Sequence, residues 1–300
     1  MKIAVFATPF KSGKIADKAF DFVKESVEKG FDVTLAKSTL NSLRGKGLSS
    51  KLPESIRTDE SPRVGNDIDV IVSLGGDGTF LRAARWSGDS EIPVVGINLG
   101  HLGYLPSFSL DEMHEVLDLL EKKEYDIDSR SLLKLEIPGN LVSSIEGFWP
   151  YALNEVAVLK QDTASMISIP VSVDSRELSI YRADGLIIAT PTGSTGYNLS
   201  VGGPILQPSI PAWVLSPIAD HSLTMRPMVI SDRSVLELTA SGRADSFRVS
   251  VDGISFTLPG GTPLKVTKAP FDCKIIIKKG RSFAMTLRSK LLWGESLMIG

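Results

Sequence analysis

IDVIVSLGGDGTFLRAARW, residues 68–86, is the stretch that decides the fold. Ile68 to Leu74 is an apolar run of strand length, and Gly75-Gly76-Asp77-Gly78 breaks it at once. A helical pattern follows from about Thr79 to Trp86. Glycines at such a junction permit positive φ and let a ligand approach the backbone closely. A helix starting there aims its free N–H groups and its positive dipole end at the same point. That combination suits phosphate oxygens, so Gly75, Gly76, Gly78 and Thr79 are candidate phosphate contacts.

Working outward, the same alternation recurs. KIAVFA (2–7) reads as a buried strand, and a helix follows from about Lys14 to Lys29 with Ala16, Phe20, Val23 and Val27 on one stripe. Gly30 closes that helix, and FDVTLA (31–36) is the next strand. IPVVGI (92–97) ends in a second glycine-rich turn at Asn98, Gly100 and Gly103. Strand–helix–strand order implies an α/β unit with a mostly parallel, Rossmann-like sheet, whose ligands bind at the carboxyl ends of the strands. Residues 38–66 lack periodicity and are expected to be a mobile surface loop or a loosely packed excursion, either idle or a lid. Residues 111–123 are a predicted helix. Thereafter short period-two runs dominate, at 132–137, 153–159, 167–173, 185–190, 235–239, 247–251, 264–268 and 274–279, which implies a sandwich-like all-β domain. The boundaries this suggests are 1–108 for the α/β domain, 109–278 for the β-rich domain, and 279–300 for a tail whose helix, Phe283 to Trp293, returns to the first domain.

Composition excludes several classes. The 300 residues carry 33 Lys+Arg against 35 Asp+Glu, which argues against a general nucleic-acid or membrane-surface binder. No run approaches the roughly 18–20 apolar residues of a membrane span, and the N-terminus lacks a signal-peptide core. A cytoplasmic protein is the expectation. The lone cysteine, Cys273, forms no internal disulfide and is expected to pack as a small apolar residue. No His and Cys spacing suggests structural zinc.

Asp77 needs a reason to stand beside phosphates, because the charges repel. It holds a magnesium ion, or takes a proton from an attacking hydroxyl, or merely caps the helix. The turn is neither a Walker loop nor a dinucleotide fingerprint. A second dense segment is DGLIIATPTGSTGYNLSVGGP (184–204), with hydroxyls at Thr190, Thr192, Ser194, Thr195 and Tyr197. Hydroxyls and backbone N–H groups together are expected to bind a pyrophosphate or ribose there, with Tyr197 offering a face to a base; an ordinary polar loop is the other reading. Asn154-Glu155 interrupts the apolar run Tyr151 to Leu159. Adjacent strand residues face opposite ways, so for both to meet one ligand the strand must bend or end there; the plainer reading, which the residues alone favour, is one side chain facing solvent and one satisfied by a turn. Asp184 either meets a ligand or starts a strand, Arg226 meets a phosphate or an ion-pair partner, and Asp252-Gly253 reads as a hairpin turn.

Together these segments resemble the NAD kinase family. The matching pieces are GGDGTFLRAAR (75–85), GINLGHLGYL (96–105), NE (154–155), the 184–204 segment, HSLTMRP (221–227) and LRSKLLWG (287–294). GGDGT is shared with lipid and sugar kinases, whereas TPTGST is more specific. The resemblance implies phosphoryl transfer from ATP or polyphosphate to the 2′-hydroxyl of the adenosine ribose of NAD, with NAD in a cleft between two domains. It implies that Asp77 is the catalytic base, and that Asn154 and Glu155 hold ribose and adenine groups. Gly78, Arg82, Asp184, Thr195, Gly196, Tyr197, Ser200 and Asp252 would complete the NAD pocket. A divalent cation, magnesium by expectation, comes with the donor, and no protein ligand is assigned to it. Homodimers or homotetramers are implied, with a neighbouring subunit able to complete the site. Gly196 stands where the family commonly has alanine, and Tyr104 where it has phenylalanine. The rival readings are a lipid kinase of the same superfamily and a non-catalytic NAD or ADP-ribose sensor; the polar 190–197 segment opposes the first and Asp77 the second.

Overall fold

The computed structural model describes residues 1–293 apart from 11, 101–102, 162–165, 223 and 292. The chain forms two compact units, Met1–Ser129 together with the segment from Cys273 onward, and Arg130–Asp272. These limits lie elsewhere than the 108/109 and 278/279 positions suggested by the strand pattern.

In the first unit the order is β1 (Lys2–Ala7), α1 (Gly13–Glu28), β2 (Asp32–Ala36), α2 (Lys37–Arg44), β3 (Arg57–Asp59), β4 (Val70–Leu74), α3 (Asp77–Ser87), β5 (Val94–Asn98), β6 (Phe108–Ser109) and α4 (Met113–Lys122). β5, β4, β1, β2 and β3 pair side by side, all parallel, with β6 parallel to the end of β5. β4 and β5 are buried along their whole length, as strands covered on both faces must be. The buried face of α1 is Ala16, Ala19, Phe22, Val23 and Ser26; Phe20 and Val27 of the expected stripe are only partly buried, so the helix is rotated toward Phe22. Gly30, at φ +83°, ends it in the left-handed conformation that favours glycine. α4 joins this unit because Met113, Val116, Leu117 and Leu120 share a core with Val23, Leu35 and Phe108. That is why the unit extends past residue 108.

Residues 38–66 are not a loose excursion. α2 packs Thr39, Ser42 and Leu43 inward, a 3-10 turn covers Ser49–Lys51, and β3 adds an edge strand. Thr39 Oγ1 accepts from Ala7 N–H at 2.7 Å and donates to Val5 O at 2.9 Å, which ties α2 to β1. The inward face carries hydroxyls in place of methyls, so apolar periodicity is absent while burial is not.

The second unit is a β-sandwich. Its elements are β7 (Tyr125–Glu136, entering from the first unit), α5 (Gly139–Val142), β8 (Tyr151–Ala152), β9 (Glu155–Lys160), β10 (Ile167–Val173), β11 (Arg176–Ala183), β12 (Gly185–Ala189), α6 (Tyr197–Ser200), β13 (Ala212–Ile218), β14 (Met228–Ser231), β15 (Leu236–Leu238), β16 (Ser241–Gly242), β17 (Ser246–Val251), β18 (Ile254–Pro259) and the long β19 (Leu264–Lys278). One sheet runs β14-β13-β12-β9-β17-β18, antiparallel throughout. The other is built on β11-β10-β15 and the first residues of β19. Val158, Ile188, Trp213 and Val249 from the first sheet meet Ile169, Val171, Leu236 and Val266 from the second. Alternate residues Ala157, Ile187, Ala189 and Val214 pack outward under Leu206, so β12 is buried on both faces. The runs 264–268 and 274–279 are one strand, not two. Its later residues return the chain to the first unit, where Ile275 pairs with Val94 and α7 (Phe283–Leu291) follows. Cys273 is buried and forms no disulfide, as expected.

Candidate active site

In the first unit the site is built on the β4–α3 junction. α3 begins at Asp77, not Thr79; Gly76 is its N-cap, and no side chain caps the helix. The first N–H groups of the helix, those of Asp77 and Gly78, are therefore left for another acceptor. Not all four candidate phosphate contacts are alike. Gly75 gives its N–H to Ile97 O at 2.9 Å, and a Cβ there would stand 2.3 Å from Thr79 Oγ1. Thr79 donates its N–H to Gly76 O at 3.0 Å and pairs its hydroxyl with Thr8 Oγ1 at 2.8 Å. Gly75 and Thr79 thus shape the turn, and Gly76 and Gly78 stand at its open side. Arg82 is exposed on α3.

Asp77 does not cap its own helix. Its carboxylate crosses to the loop after β5, where Oδ2 accepts from Tyr104 N–H and Oδ1 from Leu105 N–H, both at 2.9 Å. Gly103 packs against it so closely that a Cβ would lie 2.5 Å from Asp77 Oδ1. Two fixed donors leave each oxygen one lone-pair direction and hold the acid in one orientation. Sequence reasoning missed the 104–105 amides and the cation behind them, Lys290, because main-chain groups and a single lysine in a tail helix leave no signature. His101 and Leu102 of the same loop lie outside the described residues.

In the second unit the strand does end at the Asn154-Glu155 step: β8 stops at Ala152 and β9 starts at Glu155. The break is held by the β17–β18 hairpin. Asp252 sits there at φ +47°, followed by Gly253 at +81°, the paired left-handed residues of a tight hairpin turn. Its carboxylate accepts from the N–H groups of Leu153 at 2.7 Å, Asn154 at 2.8 Å and Glu155 at 3.1 Å. From the other side, Thr190 donates its N–H to Asn154 O at 2.9 Å and its hydroxyl to Leu153 O at 2.6 Å. Gly193 lies so close that a Cβ would be 2.1 Å from Asn154 O.

This clamp presents two acceptors. Asn154 Oδ1 and Glu155 Oε2 are buried without a hydrogen-bond partner. Leaving such groups unmade costs about 1–3 kcal/mol each, which a ligand donor would recover. Burial pushes the Glu155 carboxyl up to about 8, the Asp252 charge adds to the rise, and the Tyr197 N–H pulls the other way. Tyr197 is half exposed beside them, with Thr195 partly and Ser200 fully open. An alanine Cβ at Gly196 would come to 3.3 Å from Gly193 O and 3.4 Å from Glu155 Oε2, a tight fit, so the wall is already closely packed with glycine there.

The hydroxyls of the 190–195 segment are mostly not offered to a ligand. Thr190, Thr192 and Ser194 are buried. Ser194 Oγ donates to Pro191 O and accepts from Leu206 N–H, Arg130 donates to Thr192 Oγ1, and Thr195 Oγ1 donates to Thr192 O. They brace the loop, because small hydroxyls satisfy tight turns locally. Asp184 does not join the clamp. It lies at the opposite end of β12 from Thr190, roughly 20 Å of strand away at the usual rise per residue, and pairs with Lys160 at 2.7 Å. Among the described residues no group of three His, Cys, Asp or Glu side chains is arranged to hold a metal ion, and no helix is long and apolar enough to cross a membrane.

Comparison with known proteins matches parts of both units to one family. A family model described as the ATP-NAD kinase N-terminal domain matches residues 11–125, and one for the ATP-NAD kinase C-terminal domain matches residues 153–277. The chain is 39% identical over 295 residues to a NAD kinase of Bacteroides fragilis, covering 98% of each sequence. It is 43% identical over 231 residues to a NAD kinase of Porphyromonas gingivalis, covering 77% of this chain and 78% of that one. Among solved structures, yeast NADH kinase complexed with NADH superposes with a TM-score of 0.84 at 21% identity, over 100% of this chain and 90% of that one. A NAD kinase from Archaeoglobus fulgidus in complex with ATP gives 0.70 at 27% identity, over 96% and 99%.

Proposed function

The chain belongs to the NAD kinase family, a phosphotransferase acting on NAD, and on that premise we propose how its residues divide the work. Asp77 takes the proton from the 2′-hydroxyl of the adenosine ribose as that oxygen attacks the donor's terminal phosphorus, and the bond from that phosphorus to the bridging oxygen breaks to release ADP or the shortened polyphosphate. The N–H groups of Gly76 and Gly78 at the start of α3 receive the donor phosphates, where the helix dipole favours negative charge, while Gly75 and Thr79 keep the turn open. Asn154 and Glu155 hold the ribose and adenine groups, with Thr195, Gly196, Tyr197 and Ser200 around them and Arg82 at the rim. Asp252 acts through the main chain by fixing Asn154 and Glu155. Asp184 contributes from a neighbouring chain of a homodimer or homotetramer.

The donor is ATP or polyphosphate, and its magnesium arrives bound to the phosphates, where it offsets their charge. The side chains fit that arrangement: both Asp77 oxygens already accept N–H groups, and among the described residues it belongs to no metal-holding cluster, which supports proton transfer over chelation. No step is assigned to a metal held by the protein. A cytoplasmic location goes with these soluble substrates.

The observation that carries this reading is the pairing of an open helix N-terminus with an acid whose orientation is fixed by two amides. Asp77→Asn keeps a similar shape and should lower NADP formation by about 10²–10⁴-fold, the usual worth of a general base. The check is a coupled assay with ATP, magnesium and NAD beside a thermal melt. Near-normal turnover in a folded Asp77→Asn protein removes Asp77 from this role.

A further inference from the structure

Resting on the reading of Asp77 as the base, we propose that Lys290 is a positioning residue that holds the acid's loop in its working place. Lys290 projects from α7, and its ammonium donates to the main-chain oxygens of Gly103 and of Pro106, the latter at 2.7 Å. Those two carbonyls flank Tyr104 and Leu105, whose N–H groups hold the two oxygens of Asp77. The short loop is therefore gripped from both sides, by a cation through its carbonyls and by an anion through its amides. The Gly103–Tyr104 peptide, held at its carbonyl by Lys290 and at its N–H by Asp77, has its dipole aligned to carry the positive field of Lys290 toward the carboxylate.

Two further facts separate this from an incidental surface contact. Lys290 has no carboxylate at ion-pair distance among the described residues, so its donors are committed to the loop. Burial and the nearby Arg281 push its ammonium down to about 8 while Asp77 pulls it up, the mark of a cation placed where charge is costly. Gly103 already touches Asp77 with no room for a Cβ, so a shift of the loop moves the acid directly. Arg281 extends the strap by donating to Ser107 O.

The test compares Lys290→Met, Lys290→Arg and Asp77→Asn in the full chain. Lys290→Met should lower kcat by about 10²-fold, the cost of a misplaced reacting group, while KM for NAD changes by less than about threefold. Lys290→Arg should regain most of the loss, because a guanidinium fork also spans two carbonyls. Amide exchange at Tyr104 and Leu105 should quicken in Lys290→Met and not elsewhere in the sheet. Near-normal kcat in Lys290→Met, with Asp77→Asn inactive, overturns the proposal and spares the reading of Asp77. Turnover retained in Asp77→Asn overturns that reading and the proposal with it. If Lys290→Met loses its fold, Lys290→Gln takes its place under the same criteria. A fall in kcat that only tracks the folded fraction marks a purely structural lysine and also overturns the proposal.

Discussion

Glu155 shows how much one residue can report. Its Oε2 is buried without a partner and its carboxyl titrates at about 8, so at neutral pH the free protein holds it protonated. Because the folded value lies above the ordinary 4.5, the folded state binds the extra proton between those limits. Stability from this group therefore falls as pH rises from about 4.5 to about 8 and is level above that. Binding runs the opposite way: sugar hydroxyls donate best to the ionised acid. NAD binding at pH 7 should then release up to one proton, seen calorimetrically as a dependence on buffer ionisation heat, and the release should vanish in Glu155→Gln. That variant should also raise KM for NAD roughly 10–100-fold, the worth of a hydrogen bond to a charged acceptor. Buffer-independent binding heat in the unmodified protein would remove Glu155 as the group that ionises.

At the scale of elements, α2 makes the clearest case. Thr39 bonds Ala7 N–H and Val5 O inside the first unit, far in sequence from any site residue of the second. Thr39→Val keeps the shape but strands both groups, so it should lower unfolding free energy by about 1–3 kcal/mol in urea titration with kcat unchanged. A loss of kcat without a loss of stability would assign α2 to catalysis instead. The same element shows what a sequence conceals. β1, β4, β5 and β12 were legible because strands buried on both faces read as unbroken apolar runs. α2 was not, since two of its three inward residues are Thr39 and Ser42. Polar letters misled again at Thr190, Thr192 and Ser194, which are spent inside the protein: Thr190 and Ser194 on backbone groups, Thr192 on the Arg130 side chain. Asn154-Glu155 was legible only in part: two polar residues in the run Tyr151 to Leu159 stand out, but they require a break only if both meet one ligand. What held the break open, the three amides on Asp252, rests on a contact about a hundred residues distant and has no local sign.

At the scale of the molecule, the question is how many chains make one site. Asp77 belongs to the first unit; Asn154, Glu155 and Asp184 belong to the second, yet Asp184 sits at the far end of β12 from the other two. A single dinucleotide contacting Asn154 and Glu155 of one chain meets Asp184 most simply as the Asp184 of another. Two crippled proteins should then rescue each other. Asp77→Asn and Asp184→Ala each lower NADP formation when expressed alone. In the mixed oligomers that the proposed homodimer or homotetramer would give on co-expression, one site draws its intact Asp77 from one chain and its intact Asp184 from the other, and turnover should reappear above the sum of the two. If Asp184 serves its own chain, every site in a mixed oligomer still lacks one acid and no activity returns. Asp184→Ala with normal turnover by itself would leave the residue to its ion pair with Lys160, a pair that would then serve only the start of β12.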